Sequence, residues 1–108
     1  MAARISFVTP VRNDAVRLET CLRSILAAGN DAEEIELVVV DNGSIDASPE
    51  VARRLGAHVT VIENVRVSEL RNRGARLATA PVIAFVDADN EIVPGWIDAA
   101  LENLENLG

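Results

Sequence analysis

Short apolar runs alternate along the chain with longer segments of helical periodicity. The apolar runs are rich in β-branched residues and predict four strands, at 5–9, 35–41, 58–63 and 82–87, with Pro10 closing the first. Between and after them, apolar residues recur every three or four positions, which predicts helices from Asp14 to Gly29, Ser48 to Gly56, Ser68 to Ala78 and from about Pro94 onward. In the second helix, Ser48 is expected to be the cap.

The periodicity also predicts which helical residues face the core. They are Leu18, Cys21, Leu22 and Ile25 in the first helix, Leu70, Gly74 and Leu77 in the third, and Trp96, Ile97, Ala100, Leu101 and Leu104 in the last. Nearly continuous apolar strands separated by amphipathic helices indicate an α/β fold, a Rossmann-like parallel sheet of about four strands with helices on both faces. No linker or repeat divides the sequence, so residues 1–108 are interpreted as a single domain.

Composition narrows the class of protein. Of the 108 residues, 49% are apolar and 25% are charged, which is typical of a globular domain. We expect a cytoplasmic protein, or a soluble piece of a larger one, without a membrane segment, because no apolar run approaches the length that a bilayer requires. The single cysteine, Cys21, excludes an internal disulfide and is expected to be a buried apolar residue.

Charge excludes further functions. The net charge of −7 argues against a nucleic-acid partner, and the absence of lysine excludes both a Schiff base and the phosphate-binding lysine of a P-loop. All ten cationic residues precede Asp87, and every charged residue from Asp87 onward is acidic. The last of these acids, Asp98, Glu102 and Glu105, have the spacing of a solvated helix face.

Polar residues gather where strands end, which in a parallel sheet is where ligands bind. Asp87 and Asp89 follow the fourth strand, and two carboxylates at this spacing suit Mg²⁺ or Mn²⁺. A second interpretation stays open, in which Asp87 ends the strand and Asp89 or Asn90 caps the next helix. Asp41, the last residue of the second strand, either accepts a hydrogen bond from a base imide or ribose hydroxyl or forms an Asx-turn.

The third helix carries arginines on both flanks of its buried face. Arg71 lies near the helix's N-terminal end and is the better candidate for a phosphate or base contact. Arg73 and Arg76 share the other flank and are expected to be solvated. His58 opens a strand and is interpreted as structural, and Trp96 is expected to anchor the last helix on the sheet.

Taken together, the segments ISFVTPVRND, ELVVVDNGSIDAS and SELRNRGARLATAPVIAFVDADNEIVPGW resemble, in order and separation, the N-terminal half of a family-2 glycosyltransferase of the GT-A fold. The resemblance implies a site for a nucleotide-diphosphate sugar, most often a UDP-sugar. It places Thr9, Pro10 and Arg12 beside the nucleoside, Asp41 at the base, and Arg71 near base or phosphate. It also places Asp87 near ribose and metal, and Asp89 as a ligand of Mn²⁺ or Mg²⁺.

The resemblance has two departures. Asn42 stands where the family often has a second aspartate, and the family continues for a further half that supplies the acceptor pocket and the general base. The spare carboxylates near the predicted cleft, Asp14, Asp46 and Glu91, do not match that base. We therefore expect donor binding with an unknown acceptor and no assigned catalytic residue. The alternative is a non-catalytic nucleotide-binding module or an interaction module. A homo-oligomer formed through the fourth strand's edge or the last helix is also expected.

Overall fold

The computed structural model describes residues 3–29 and 34–107, with side chains as far as residue 103. The chain folds in the order β1 (Ile5–Val11), α1 (Ala15–Ala28), β2 (Ile35–Asp41), α2 (Ser48–Arg54), β3 (His58–Val61), α3 (Val67–Leu77), β4 (Val82–Phe85) and α4 (Trp96–Leu107). Strands and helices alternate throughout, which confirms the α/β class that the apolar runs predict.

The four strands form one parallel sheet in the order β3-β2-β1-β4. Strand β1 pairs with β2 along its whole length, but with β4 only as far as Val8. The expectation that Pro10 closes β1 is wrong, since the strand continues to Val11. Backbone groups of a strand face its two neighbours alternately, so the side on which Pro10 lacks an N–H is that of β4. That ladder ends where the Val86 N–H donates to the Val8 carbonyl, so the proline costs no hydrogen bond.

Each face of the sheet has its own core. On one face Phe7 and Val39 pack with residues of α1, α2 and α4, among them Leu22, Ala52 and Ile97. On the other face Val8, Val38 and Val40 pack against Leu70 of α3. Helices therefore cover both faces, as predicted. The ring centroids of Phe7 and Trp96 lie 5.8 Å apart, so Trp96 contacts the sheet as an anchor of α4, but it is 37% exposed rather than turned fully to the core as predicted.

Helix α3 approaches the sheet closely because of Gly74. A Cβ at this position would collide with Val8 Cγ1 and would lie 2.9 Å from Val40 Cγ2. The missing side chain lets the helix backbone settle onto β1 and β2. Since Gly74 and Leu70 make this contact, they set the depth at which α3 lies beside the carboxyl ends of the strands.

Several predicted boundaries and orientations are wrong. Strands β3 and β4 end earlier than expected, and α4 begins at Trp96, two residues after Pro94. Leu77 is 47% exposed rather than inward, because α3 packs on β1 and β2 through Leu70 and Gly74, and Leu77 is the helix's last residue, beyond this contact. The prediction that Leu104 faces the core lies outside the residues whose side chains are described.

The amino end of the sheet is tied together by Glu36, which the sequence analysis did not single out. Its carboxylate accepts hydrogen bonds from Ser6 Oγ (2.6 Å) and from both Thr79 N (2.8 Å) and Thr79 Oγ1 (2.9 Å). Burial opposes ionisation, but these hydrogen bonds outweigh it, and the pKa of Glu36 is lowered. His58 Nε2 lies 4.0 Å from the same carboxylate, with its side chain largely exposed, and its structural role stays a prediction.

Strand β4 forms one edge of the sheet, and its Phe85 is 51% exposed. Self-association through this edge or through α4 stays a prediction. No helix within residues 3–29 and 34–107 has the length and apolar character needed to cross a bilayer.

Candidate functional site

A cleft of about 470 Å³ opens at the carboxyl ends of β1, β2 and β4, beside α3. It brings together five residues that the sequence analysis singled out: Pro10, Arg12, Arg71, Asp87 and Asp89. Its other lining residues are Val11, Asn42, Val67 and Leu70. The cleft therefore combines two cationic and two anionic side chains with an apolar wall.

Arg71 and Asp87 form an ion pair within this cleft. Arg71 Nη2 donates to Asp87 Oδ1 at 2.6 Å, and the two side chains are 37% and 48% exposed. An ion pair with this exposure contributes little net stability, on the order of 1 kcal/mol or less. Both groups can therefore exchange this contact for contacts with a ligand at small cost.

Asp87 and Asp89 lie on a turn that directs both toward the cleft. The Asn90 N–H donates to the Asp87 carbonyl at 3.0 Å, and α4 begins only at Trp96, so neither Asp89 nor Asn90 caps that helix. Within residues 3–29 and 34–107 no group of three His, Cys, Asp or Glu side chains is arranged to hold a metal. Mg²⁺, however, is usually held by only one or two carboxylates together with substrate phosphates, so this donor set fits a cation that arrives with a phosphorylated ligand.

Cys21 lies beside this turn, and the negative charges there contribute to a shift in its pKa. Burial and the charges of Asp89, Asp87 and Glu91 raise the pKa of the Cys21 thiol to about 11. Its Sγ lies 3.7 Å from the Asp87 carbonyl oxygen. The expectation that Cys21 is a buried apolar residue is confirmed, and its raised pKa keeps the thiol protonated near neutral pH.

Thr9 and Asp41 do not line the cleft but lie fully buried next to it. Asp41 Oδ2 accepts a hydrogen bond from the Ser44 N–H at 2.8 Å, around a turn in which Gly43 has a φ of 74°. Asp41 Oδ1 and Thr9 Oγ1, in contrast, have no hydrogen-bond partner among the described residues. One carboxylate oxygen thus serves the local turn, while the other is left to accept a further donor.

Asp46 has a structural role that the sequence analysis missed. Its Oδ2 accepts the first N–H of α1, from Ala15, and its Oδ1 accepts both the N–H and the hydroxyl of Ser48. Hydrogen bonds from Ser48, the hydroxyl first, lower the pKa of Asp46. Ser48 consequently does not cap α2 as predicted, and Asp46 is not a spare carboxylate. The sequence feature that could have indicated this role is the run of short polar residues at alternate positions, Ser44, Asp46 and Ser48, because such side chains often bind nearby backbone groups.

A polar cavity of about 280 Å³ adjoins the main cleft at the end of β3. It shares Arg12 and Asn42 with the cleft and adds Gly43, Glu63, Asn64 and Val65. Glu63 and Asn64 were not named from the sequence. Glu63 is the last residue of the third predicted strand and Asn64 follows it, so the rule that drew attention to the ends of the other strands applies to them as well.

The fold and the cleft together define an α/β domain with a candidate ligand cleft at the carboxyl edge of a parallel sheet. The family model for Glycosyl transferase family 2 matches residues 6–108. The chain belongs to this family, as its sequence motifs indicate.

Three known proteins show the similarity. The chain is 33% identical over 96 residues to an uncharacterized glycosyltransferase, YibD, of Escherichia coli, with 84% of the chain and 27% of YibD covered. It superposes with a TM-score of 0.75 on S. aureus TarS 1–349 in complex with UDP, at 25% identity, covering 94% of the chain and 32% of that structure. It also superposes on the mannosyltransferase PcManGT of Pyrobaculum calidifontis, in complex with GDP-Man and Mn²⁺, with a TM-score of 0.68 at 27% identity. This match covers 82% of the chain and 28% of that structure. The chain therefore spans about a third or less of these proteins.

Proposed function

We propose that this domain binds a nucleotide-diphosphate sugar, with UDP as the nucleotide, for transfer of the sugar to an acceptor. The observation that carries the proposal is the single cleft in which Arg12, Arg71, Asp87 and Asp89 meet in a domain of Glycosyl transferase family 2. The complexes of TarS with UDP and of PcManGT with GDP-Man support a nucleotide donor at this kind of domain.

The proposed roles follow from charge and position. Arg12 and Arg71 contact the diphosphate or the base, since guanidinium groups suit phosphate oxygens. Pro10, which lines the cleft, borders the nucleoside, and Thr9, buried beside it, reaches the nucleoside only after a rearrangement at the cleft. Asp41 holds the base, because its Oδ1 is a buried acceptor without a partner among the described residues. A base reaches this oxygen only after side chains at the cleft rearrange, since Asp41 is fully covered.

Asp87 and Asp89 would hold Mn²⁺ or Mg²⁺ together with the diphosphate. When bound, such a cation supplies positive charge that stabilises the departing nucleoside diphosphate. The chain's own contribution is to bring two carboxylates to the cleft on one turn and to balance them with Arg71. We propose that Asp87 also contacts the ribose.

We assign no general base. Both oxygens of Asp46 already accept hydrogen bonds, and Asp14 Oδ2 lies 4.0 Å from Arg17 Nη1. Glu91 lines a separate cavity of about 170 Å³, on which Asp89 also borders. Residues that activate an acceptor are accordingly sought in the remainder of a family-2 enzyme, and the acceptor itself is unknown.

Calorimetric titration with UDP tests the proposal. Wild type is expected to bind UDP in the presence of Mn²⁺ and at least about tenfold more weakly without it, and Asp89→Asn is expected to lose that metal dependence. The matched control is Glu102→Gln, which removes one exposed acid from α4 and should behave as wild type. Absence of UDP binding by wild type, or equal binding by wild type and Asp89→Asn in Mn²⁺, would contradict the proposal.

A further inference from the structure

The loops that follow β1 and β2 are joined by a set of hydrogen bonds outside the cleft. The Asn13 N–H donates to Ser44 Oγ at 2.8 Å, and the Ile45 N–H donates to Asn13 Oδ1 at 2.7 Å. Asn13 thus donates to the Ser44 hydroxyl and accepts from the Ile45 backbone, so two hydrogen bonds in opposite directions join segments about 30 residues apart in sequence. Neither Asn13 nor Ser44 lines the cleft or the adjoining cavity.

Each partner is directly linked to a residue of the proposed nucleotide site. Asn13 follows Arg12, which lines both the cleft and the polar cavity. The backbone N–H of Ser44 donates to Asp41 Oδ2 and so directs the other oxygen of that carboxylate. A shift of one loop relative to the other would change the separation between the Arg12 guanidinium and Asp41 Oδ1.

The backbone at Asn13 supports a specific role for this side chain. Asn13 has a φ of 51°, in the left-handed region that asparagine tolerates better than most residues. This conformation brings its N–H and its side-chain oxygen to the same neighbouring loop. Ile45, in contrast, contributes only its backbone N–H, because its side chain is 93% exposed.

We infer that Asn13 and Ser44 are positioning residues that set the distance between Arg12 and Asp41 and thereby the affinity and base preference of the nucleotide site. The inference rests on the proposed function. It predicts that the Ser44 hydroxyl matters for nucleotide binding although no nucleotide touches it. Loss of the hydroxyl leaves the Ser44 N–H on Asp41 in place but removes the hydrogen bond that fixes the Asn13 N–H. The hydrogen bonds from the Ile45 N–H to Asn13 and from the Ala15 N–H to Asp46 remain.

The test uses the 108-residue chain with four variants. Ser44→Ala deletes the hydroxyl, Ser44→Thr retains it, Asn13→Gly retains the backbone conformation without the side-chain oxygen, and Ile45→Ala is a control in the same loop. Amide hydrogen exchange without ligand is measured first. Exchange of the Asn13 amide should be about three- to tenfold faster in Ser44→Ala, and unchanged in Ser44→Thr and Ile45→Ala.

Nucleotide affinity is the second readout. Ser44→Ala and Asn13→Gly should bind UDP about threefold or more weakly and prefer UDP over CDP less, while their urea midpoints remain near that of Ile45→Ala. Recovery of wild-type affinity in Ser44→Thr separates positioning from a general loss of stability. Wild-type-like exchange or UDP affinity in Ser44→Ala would overturn the inference alone. Failure of wild type to bind UDP would overturn the proposed function, and the inference with it.

Discussion

Arg71 Nη2 lies 2.6 Å from Asp87 Oδ1, and this contact joins α3 to the turn that follows β4 across the wall of the cleft. In the proposed complex both partners have other tasks, since Arg71 faces the nucleotide and Asp87 the metal. The ion pair therefore holds both ligand-binding side chains in place, and each neutralises the charge of the other. We expect nucleotide and metal to bind in a coupled way, because a nucleotide that takes the Arg71 guanidinium frees the Asp87 carboxylate for the metal, and a metal that takes Asp87 frees Arg71 for the nucleotide.

The first prediction concerns Arg71→Ala. The variant should bind UDP about fivefold or more weakly, because a charge-assisted contact is lost. It should bind Mn²⁺ alone more tightly than wild type, because Asp87 no longer has a competing cation. Titration of Mn²⁺ by electron paramagnetic resonance measures the second effect. The control is Arg73→Ala, which breaks an exposed pair with Glu69 on the other flank of α3. Weaker Mn²⁺ binding in Arg71→Ala would refute the coupling.

The second prediction concerns base preference. Asp41→Asn keeps an oxygen that can accept from the Ser44 N–H, but it places an amide donor where Oδ1 is now. Uracil presents an imide N–H at this edge and cytosine an acceptor, so the variant should lose affinity for UDP and gain it for CDP. Competition calorimetry with the two nucleotides measures the ratio. An unchanged ratio would show that Asp41 does not meet the base.

The third prediction concerns Glu36 and pH. Because the folded-state pKa is lowered, the carboxylate contributes stability above its ordinary pKa of 4.5, and this stability is lost as the pH falls through the folded value. Glu36→Gln should lower the free energy of unfolding at pH 7 by roughly 1.5–3 kcal/mol. In this variant the free energy of unfolding should also fall less steeply as the pH is lowered. Urea unfolding at pH 7 and below pH 4.5 checks both, with Glu102→Gln as control. A decline in acid as steep as that of wild type would speak against this role.

The fourth prediction concerns Gly74. Alanine favours a helix over glycine by about 1 kcal/mol. Here, however, its Cβ would collide with Val8 and crowd Val40. Gly74→Ala should therefore lower the free energy of unfolding by about 1–3 kcal/mol, as overpacking does. Asn72→Ala, on the exposed side of the same helix, should be neutral or stabilising. Equal or greater stability of Gly74→Ala in urea would contradict the packing described for α3.

The order of elements and the position of the cleft could be predicted from the sequence because they depend on local patterns. Runs such as IELVVVD identify a buried strand, and the polar residues that follow parallel strands meet at one edge of the sheet. Residue types then indicated Arg71, Asp87 and Asp89, which the structure brings into one cleft.

The remaining features depend on contacts between distant parts of the chain. Pro10 fits within β1 because the pairing with β4 ends at Val8, and Leu77 is exposed because it is the last residue of α3, beyond the contact that Leu70 and Gly74 make with the sheet. Asp46 and Glu36 hold hydrogen bonds to groups about 30 to 40 residues away. No local periodicity encodes such partners, so a carboxylate in a loop or strand looks the same whether it binds a ligand or a backbone N–H.

Paramagnetic broadening by Mn²⁺ in the presence of UDP tests the central claim most directly. The account predicts that trace Mn²⁺ selectively broadens the amide resonances of residues 87–90 and of the neighbouring cleft residues Arg12 and Asn42. Amides at the opposite end of the sheet, around Glu36, should keep their line widths, and Asp89→Asn should abolish the selective effect. Broadening centred on the acidic face of α4, around Glu102, or no selective broadening at all, would contradict a metal and nucleotide site in this cleft.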